Sequence, residues 1–144
     1  NLLIGERTAE ELKIRVGSAI ENLLDPPDPI GINGRDLLTG IPKQVMTDYL
    51  EVAEALDKSI AKIEEAVLKA LEDTPPELAS DIYRNGIYLT GGGALLRGLD
   101  ERLAKKTKLN VHVADDPLRA VVRGTGLALK NTSQYPFLMD RQSL

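Results

Sequence analysis

The sequence predicts an α/β fold that is rich in helix. Three observations carry that expectation. Strand and helix patterns alternate between residues 86 and 130, an apolar stripe keeps helical spacing between 48 and 73, and three glycines separate the first of those strands from its helix. Strands that alternate with helices favour parallel pairing, because each strand returns to its neighbour through a crossover helix.

Residues 7–24 read as an amphipathic helix, with Ala9, Leu12, Val16, Ala19, Ile20 and Leu23 at helical spacing. Thr8 can cap it, with Glu11 at the capping-box distance. Asp25-Pro26-Pro27-Asp28-Pro29 ends it, since proline blocks helix continuation and biases the residue before it to extended geometry. Ile30 and Ile32 then alternate, and Asn33-Gly34 and Gly40-Ile41-Pro42 give turn signals. The expectation there is a short strand, a loop and a second strand around Gln44 to Met46, forming a small two-stranded flap.

Residues 48–73 are helical, with Leu50, Ala53, Leu56, Ile60, Ile63, Val67 and Leu71 on one side and charged residues opposite. Thr74-Pro75-Pro76 ends that helix, and a short one follows from Glu77 to about Tyr83, with Pro76 suited to its first turn. Gly86–Thr90 and Asn110–Ala114 are strand candidates. Ala94–Leu103 and Leu118 to about Lys130 are helices, the second with Asp115-Asp116-Pro117 as its cap. Gly124 and Gly126 lie inside that last helix, where small residues allow close packing. The tail from Asn131 has no periodicity and is expected to be loose.

Composition narrows the function. With 18 Lys+Arg against 22 Asp+Glu, the net charge of −4 argues against non-specific nucleic-acid binding. The absence of cysteine excludes a disulfide scaffold and Cys-ligated metal centres. His112 is the one histidine, and between Val111 and Val113 it reads as an exposed strand position. No apolar run approaches the ~20 residues of a membrane span. The chain opens Asn1-Leu2-Leu3-Ile4 without an initiator methionine or a basic segment, so we expect an internal cut from a longer protein rather than a signal peptide.

Leu89-Thr90-Gly91-Gly92-Gly93-Ala94-Leu95-Leu96 is the most informative segment. Glycines let a backbone approach a ligand closely, and a following helix start offers free N–H groups to phosphate. The segment lacks the Lys-Ser/Thr of a P-loop. It also fails the dinucleotide fingerprint counted from Gly91, because Leu96 stands where the last glycine belongs. A dinucleotide site could still use Asp115 on the ribose. On the glycines alone, a ligand turn and a plain tight turn are equally good readings.

The neighbouring words decide between them. Gly5-Glu6-Arg7-Thr8-Ala9-Glu10-Glu11-Leu12-Lys13, Gly34–Gly40, Pro75-Pro76-Glu77-Leu78-Ala79-Ser80-Asp81-Ile82, Thr90–Arg97 and Ala114-Asp115-Asp116-Pro117-Leu118 occur in one order. From Asn1 to about Lys130 the sequence strongly resembles the MreB family, the rod-shape-determining bacterial homologues of actin. The resemblance implies a two-lobed ATPase, with this chain as most of the second lobe. The fold it implies is an incomplete actin-like, ribonuclease H-like lobe, helix-rich, with two parallel-sheet strands and a small β flap. Residues 1–28 and 57–130 would then belong to the large subdomain and 29–56 to the small outer one, with 131–144 as tail.

The resemblance also implies a site. Gly92, Gly93, Ala94 and Leu95 map to the family's Gly-rich contact with ATP, and Glu10, Glu11, Leu12 and Lys13 to its adenosine side. Chemistry agrees, since Glu10 and Lys13 share a helix face, Glu can accept from ribose hydroxyls, and Lys can cover the base or meet phosphate. Without the resemblance, a solvated ion pair is the simpler account of that spacing. The family's Asp- and Gly-containing phosphate loops, which organise Mg2+, and its acidic water-positioning residue precede the matched segment. No catalytic or metal-ligating residue is therefore assigned here, and the chain alone should not hydrolyse ATP.

The implied role is ATP-controlled assembly into filaments at the inner face of the cytoplasmic membrane, directing cell shape and wall synthesis. Self-association, the adaptor RodZ and the wall-synthesis machinery are the implied partners, with no nucleic acid and no direct membrane binding by this segment. The alternatives are the nucleotide-binding half of a chaperone-type ATPase and a dinucleotide-binding enzyme domain.

Overall fold

A computed structural model describes residues 1–135 of the 144-residue chain. Its strands are β1 (Leu2–Leu3), β2 (Ile30–Asp36), β3 (Pro42–Thr47), β4 (Ile87–Leu89) and β5 (Val111–Val113). Its helices are α1 (Glu6–Val16), α2 (Tyr49–Glu72), α3 (Pro76–Asn85), α4 (Leu99–Thr107) and α5 (Ala120–Lys130). A single 3-10 turn, Gly92–Leu95, stands between β4 and α4.

The strands form two sheets. β4 and β5 pair in parallel, with Ile87 opposite Val111, Tyr88 opposite His112 and Leu89 opposite Val113. The crossover between them runs through the 3-10 turn and α4, as a strand–helix–strand unit requires. The flap holds one strand more than the alternation predicts. β1 pairs antiparallel with β2, Leu2 opposite Asp36, and β2 pairs antiparallel with β3 from Ile30–Thr47 to Arg35–Pro42. Asn33-Gly34 is not the turn. Both residues lie inside β2, opposite Gln44 and Lys43, and the chain reverses at 37–41 instead. There the Asp36 carboxylate accepts the Leu38 amide at 2.8 Å, and Gly40 takes a φ of +75°, the kind of local side-chain bond by which Asp sets a turn.

Helix α2 carries much of the packing. Asp48 caps it by accepting the Glu51 amide at 3.0 Å. Val52, Ala53 and Ile60 are buried on its inner face, while Leu50 and Ile63 are largely exposed, so the stripe read from the sequence is only partly core. Ile60 joins Ala19, Leu99 and Leu103 in the central cluster, with Leu56, Val67, Leu89, Leu96 and Val111 against it. Arg102 of α4 fastens the same region. Its guanidinium donates to Glu64 at 2.7 Å and to the Ala19 carbonyl at 3.1 Å, and pairs with Asp57 at 2.8 Å.

Several local expectations are corrected. α1 stops at Val16 rather than continuing to residue 24. Gly17 takes an extended conformation, and the Ser18 hydroxyl binds the Ile20 backbone, accepting from its amide at 3.1 Å and donating to its carbonyl at 2.6 Å. That local ring competes with helix continuation. Thr8 does not cap α1, which begins at Glu6 after Gly5 with no side-chain cap. The helix expected from Ala94 to Leu103 is split by Leu96–Gly98, because Gly98 adopts a left-handed φ of +72°. Asp115-Asp116-Pro117 lies upstream of α5, in a turn where the Arg119 amide donates to the Asp116 carbonyl at 3.0 Å. Among the described residues nothing packs against Gly124 or Gly126: a Cβ at either would have no neighbour within 4 Å. At the start of the tail, the Gln134 amide donates to the Asn131 carbonyl at 2.8 Å; residues 136–144 of the tail lie outside the described residues.

Two local expectations hold: Pro76 occupies the first turn of α3, and His112 is an exposed strand residue whose ring lies 5.1 Å from that of Tyr88.

The flap turn carries a titratable device. The Leu38 amide, with help from Thr39 and from Lys43 at 3.5 Å, holds the Asp36 carboxyl below the ordinary carboxylate range. A lowered folded-state value means that its stabilisation is complete above that range and is lost as pH falls through it and below. The Leu38 amide proton should therefore titrate with a midpoint below that of a free aspartate, and the Asp36→Asn variant should abolish the titration. A midpoint at or above the free value would overturn this account.

Candidate nucleotide-binding site

Two elements hold the residues singled out in the sequence. The first is the glycine turn after β4. Gly91 ends the strand with φ +79°, its amide donating 2.8 Å to the Pro117 carbonyl. An L-residue rarely adopts that φ, so glycine is required there by conformation. The turn then closes through the Ala94 amide on the Gly91 carbonyl at 3.3 Å and the Leu96 amide on the Gly93 carbonyl at 3.1 Å. Ala94 is buried, whereas Leu95 is exposed. A side chain at Gly93 would meet no atom within 4 Å, and one at Gly92 would meet only the Leu118 side chain at 3.5 Å. The surface beside the turn is thus open, and the amides of Gly92 and Gly93 have no backbone acceptor among the described residues.

This geometry differs from the one the sequence suggests. The sequence suggests a full helix start with its dipole. The structure has a single 3-10 turn of four residues, too short for a sizeable dipole. What it offers is open backbone N–H groups.

The second element is α1. Lys13 Nζ donates to Glu10 Oε2 at 2.6 Å, with both side chains about half exposed. These two residues and Leu12 line a largely apolar cavity of about 470 Å³ between α1 and α2, together with Ala9, Val52 and Leu56. Glu11 lies apart from Glu10. It lines a smaller cavity of about 240 Å³ beside β2, with Arg15, Ile32 and Asn33, and sits 3.9 Å from the Arg15 guanidinium. Neither cavity includes a residue of the glycine turn, and no hydrogen bond or ion pair joins residues 10–13 to residues 92–95 among the described residues.

A third element joins them, and its role is not read from the sequence. Ser18 and Arg97 form a parallel backbone bridge. The Ala19 amide donates to the Arg97 carbonyl at 2.8 Å, the Ser18 hydroxyl approaches the same carbonyl at 3.3 Å, and the Arg97 guanidinium reaches the Gly17 carbonyl at 3.4 Å. Gly17 closes α1 on the Lys13 carbonyl at 2.9 Å. The bridge therefore connects the end of α1 to the end of the glycine turn. Gly17-Ser18 inside an apparent helix was the available signal.

Two kinds of relative match this arrangement. A profile of the MreB/Mbl protein family matches residues 1–136. The chain belongs to the MreB/Mbl family. It is 46% identical over 135 residues to the cell shape-determining protein Mbl of Bacillus subtilis, covering 94% of this chain and 40% of the relative. It is 48% identical over 128 residues to the cell shape-determining protein MreB of Escherichia coli, covering 89% and 36%. The crystal structure of MreB5 of Spiroplasma citri bound to ADP superposes with a TM-score of 0.85 at 37% identity, covering 94% of this chain and 40% of that one. The AMPPNP complex of MreB5 gives 0.86 at 36% identity, covering 97% and 41%.

The family identifies the fold as part of an actin-like one, and the expectation of a helix-rich α/β lobe with a two-stranded parallel sheet and a β flap is borne out. The family is a cell shape-determining, actin-like cytoskeletal one, and MreB5 of Spiroplasma citri is solved with ADP and with AMPPNP. The chain spans about 40% of the length of the first of these relatives. Among the described residues no group of three or more His, Asp or Glu side chains could hold a metal ion, and no helix is long and apolar enough to cross a membrane.

The glycine turn makes a separable prediction. Gly91→Ala forces an L-residue to φ +79° and ψ −180°, a region essentially confined to glycine, and should cost roughly 1–3 kcal/mol of stability. Gly93→Ala places its methyl group in open space and should change stability by less than about 0.5 kcal/mol. Urea unfolding of the two variants measures the difference; equal losses would overturn this assignment of roles.

Proposed function

We propose that this chain supplies the adenosine-side part of an ATP cleft in an actin-like filament protein that controls bacterial cell shape and wall synthesis. The observation that carries the proposal is the joining of the open glycine turn to α1 through the Ser18–Arg97 bridge. The residues present fit a nucleotide. Gly92 and Gly93 offer amides without a side-chain barrier, as phosphate or ribose oxygens need. Glu10 and Lys13 offer an acceptor and a cation beside an apolar cavity, which suits ribose hydroxyls and a base. In this reading Leu12 contributes apolar surface, Ala94 and Leu95 contribute backbone, and Glu11 acts from the neighbouring face.

The same reading divides the chain. Residues 1–28 and 57–130 form the large subdomain, 29–56 the small outer one, and 131–144 the tail. ATP bound with Mg2+ supplies the phosphoryl chemistry, while metal and water positioning come from elsewhere in the protein. This chain's residues bind and orient the nucleotide and are not themselves the hydrolytic machinery. The setting is the cytoplasmic face of the membrane, with self-association, the adaptor RodZ and the wall-synthesis machinery as partners.

A site of this kind is incomplete without its other half. Calorimetric titration of the 144-residue chain with ATP and Mg2+ should show no tight binding, and a submicromolar dissociation constant would overturn the half-site reading. Filament formation is tested on the longer protein of which this chain would be a part, which should sediment in an ATP-dependent manner. A protein that binds ATP yet never assembles would favour the chaperone-type or dinucleotide-enzyme alternatives.

A further inference from the structure

The bridge between the two elements is itself built with unusual care. Ser18 is completely buried, at 0% exposure, and its hydroxyl makes three contacts: it accepts the Ile20 amide and donates toward the Ile20 and Arg97 carbonyls. Gly98, directly after Arg97, has φ +72°, and a side chain on it would stand 2.5 Å from Ile20. Gly17, directly before Ser18, leaves room for Leu96, whose side chain would lie 3.1 Å from a Cβ there. Each strand of the bridge then runs straight into the central cluster, Ala19 on one side and Leu99 on the other. Arg102 locks the first of these through the Ala19 carbonyl at 3.1 Å.

We infer that Ser18 is a positioning residue, which sets the register of α1 against the glycine turn so that one nucleotide can meet both. This inference rests on the site proposed above. Lys13 and Gly17 are one helical turn apart and share a hydrogen bond, while Gly93 and Leu96 share another on the opposite side of the bridge. A shift at Ser18–Arg97 therefore displaces Lys13 relative to Gly93 with little loss of local structure in either element. Two half-sites held in fixed register bind a two-part ligand with an advantage that is lost when the register slackens.

The test compares ADP with adenosine, using amide chemical shifts of Glu10–Lys13 and Gly92–Leu95 in the 144-residue chain at millimolar ligand. In the natural sequence both sets should titrate together with ADP, which should bind more tightly than adenosine. Ser18→Ala should leave adenosine affinity within about twofold and lower the ADP-to-adenosine affinity ratio by about fivefold or more, the scale of one lost buried hydrogen bond. General destabilisation would lower both affinities together and leave the ratio unchanged, and that result overturns the inference. If Ser18→Ala does not fold, Arg97→Met removes only the 3.4 Å guanidinium contact to Gly17 and should lower the ratio by a smaller factor. An unchanged ratio there would also overturn it. If ADP moves neither set of amides in the natural sequence, the proposed site fails and the inference fails with it. Binding with an unaltered ratio in the variants overturns the positioning role alone.

Discussion

Two stretches of backbone, 17–19 and 96–98, come within hydrogen-bonding distance of one another, and the organisation of the region around the parallel sheet depends on that approach. It is possible because the side chains that would obstruct it are absent or small: Gly17 and Gly98 flank the crossing, and Ser18 lies inside it. A buried backbone needs partners, since each unsatisfied polar group costs about 1–3 kcal/mol. Here Ala19 and Arg97 satisfy one another and Ser18 satisfies Ile20. Among the described residues no buried side-chain nitrogen or oxygen lacks a partner. The polar crossing therefore costs the core little, and the apolar cluster can form immediately beside it.

Arg102 extends this constraint to α2. Its planar guanidinium can address several acceptors at once, and it uses that capacity on Glu64, Asp57 and the Ala19 carbonyl. The bond to Glu64, followed by those to Asp57, raises the Arg102 pKa against the opposing effect of partial burial, so its charge persists at any pH at which the chain folds. Ion pairs of this kind contribute less to net stability than to geometry, because desolvation offsets much of the attraction. The consequence is orientation: α2, α4 and the segment after α1 are held by one side chain. By contrast, the ion pairs of Arg15 with Glu11 and Arg84 with Asp81 are exposed and near the median worth of surface pairs, about 0–1 kcal/mol.

These two features explain which parts of the structure were legible in the sequence. α2 was legible because its apolar period and its terminating prolines agree, and β4 and β5 because short apolar runs are bounded by glycine and Asp-Pro signals. The end of α1 was not, because the apolar spacing continues through Ala19, Ile20 and Leu23 while the Ser18 hydroxyl, a local competitor, ends the helix. Ala19 is indeed buried, but as part of the bridge rather than of a helix. The turn signal at Asn33-Gly34 misled because turn-like composition stands there within a strand, with Gly34 needed where the Leu3 carbonyl comes within 2.5 Å of a would-be Cβ. In the candidate site, periodicity placed Glu10 and Lys13 on one face. It could not find Ser18 or Arg97, whose 79-residue separation makes their meeting a property of the fold.

The exposed surface bears on the same question from another direction. A parallel sheet ordinarily has both faces covered. Here Tyr88 is 64% exposed, and α5 buries no residue, with Val121 and Val122 more than 70% exposed. The sequence pattern of α5 is that of a packed helix, and its Gly124 and Gly126 are of the size that close packing uses, yet none of the described residues meets them. The proposed site, built from backbone amides and one helix face, is likewise a set of contacts for one side of a ligand. Uncovered packing surface and one-sided chemistry thus agree with a chain that spans about 40% of its relative Mbl. In the function proposed above, the contribution of this chain is geometric: two glycine-flanked backbone segments would fix where a nucleotide lies, before any reacting group is involved.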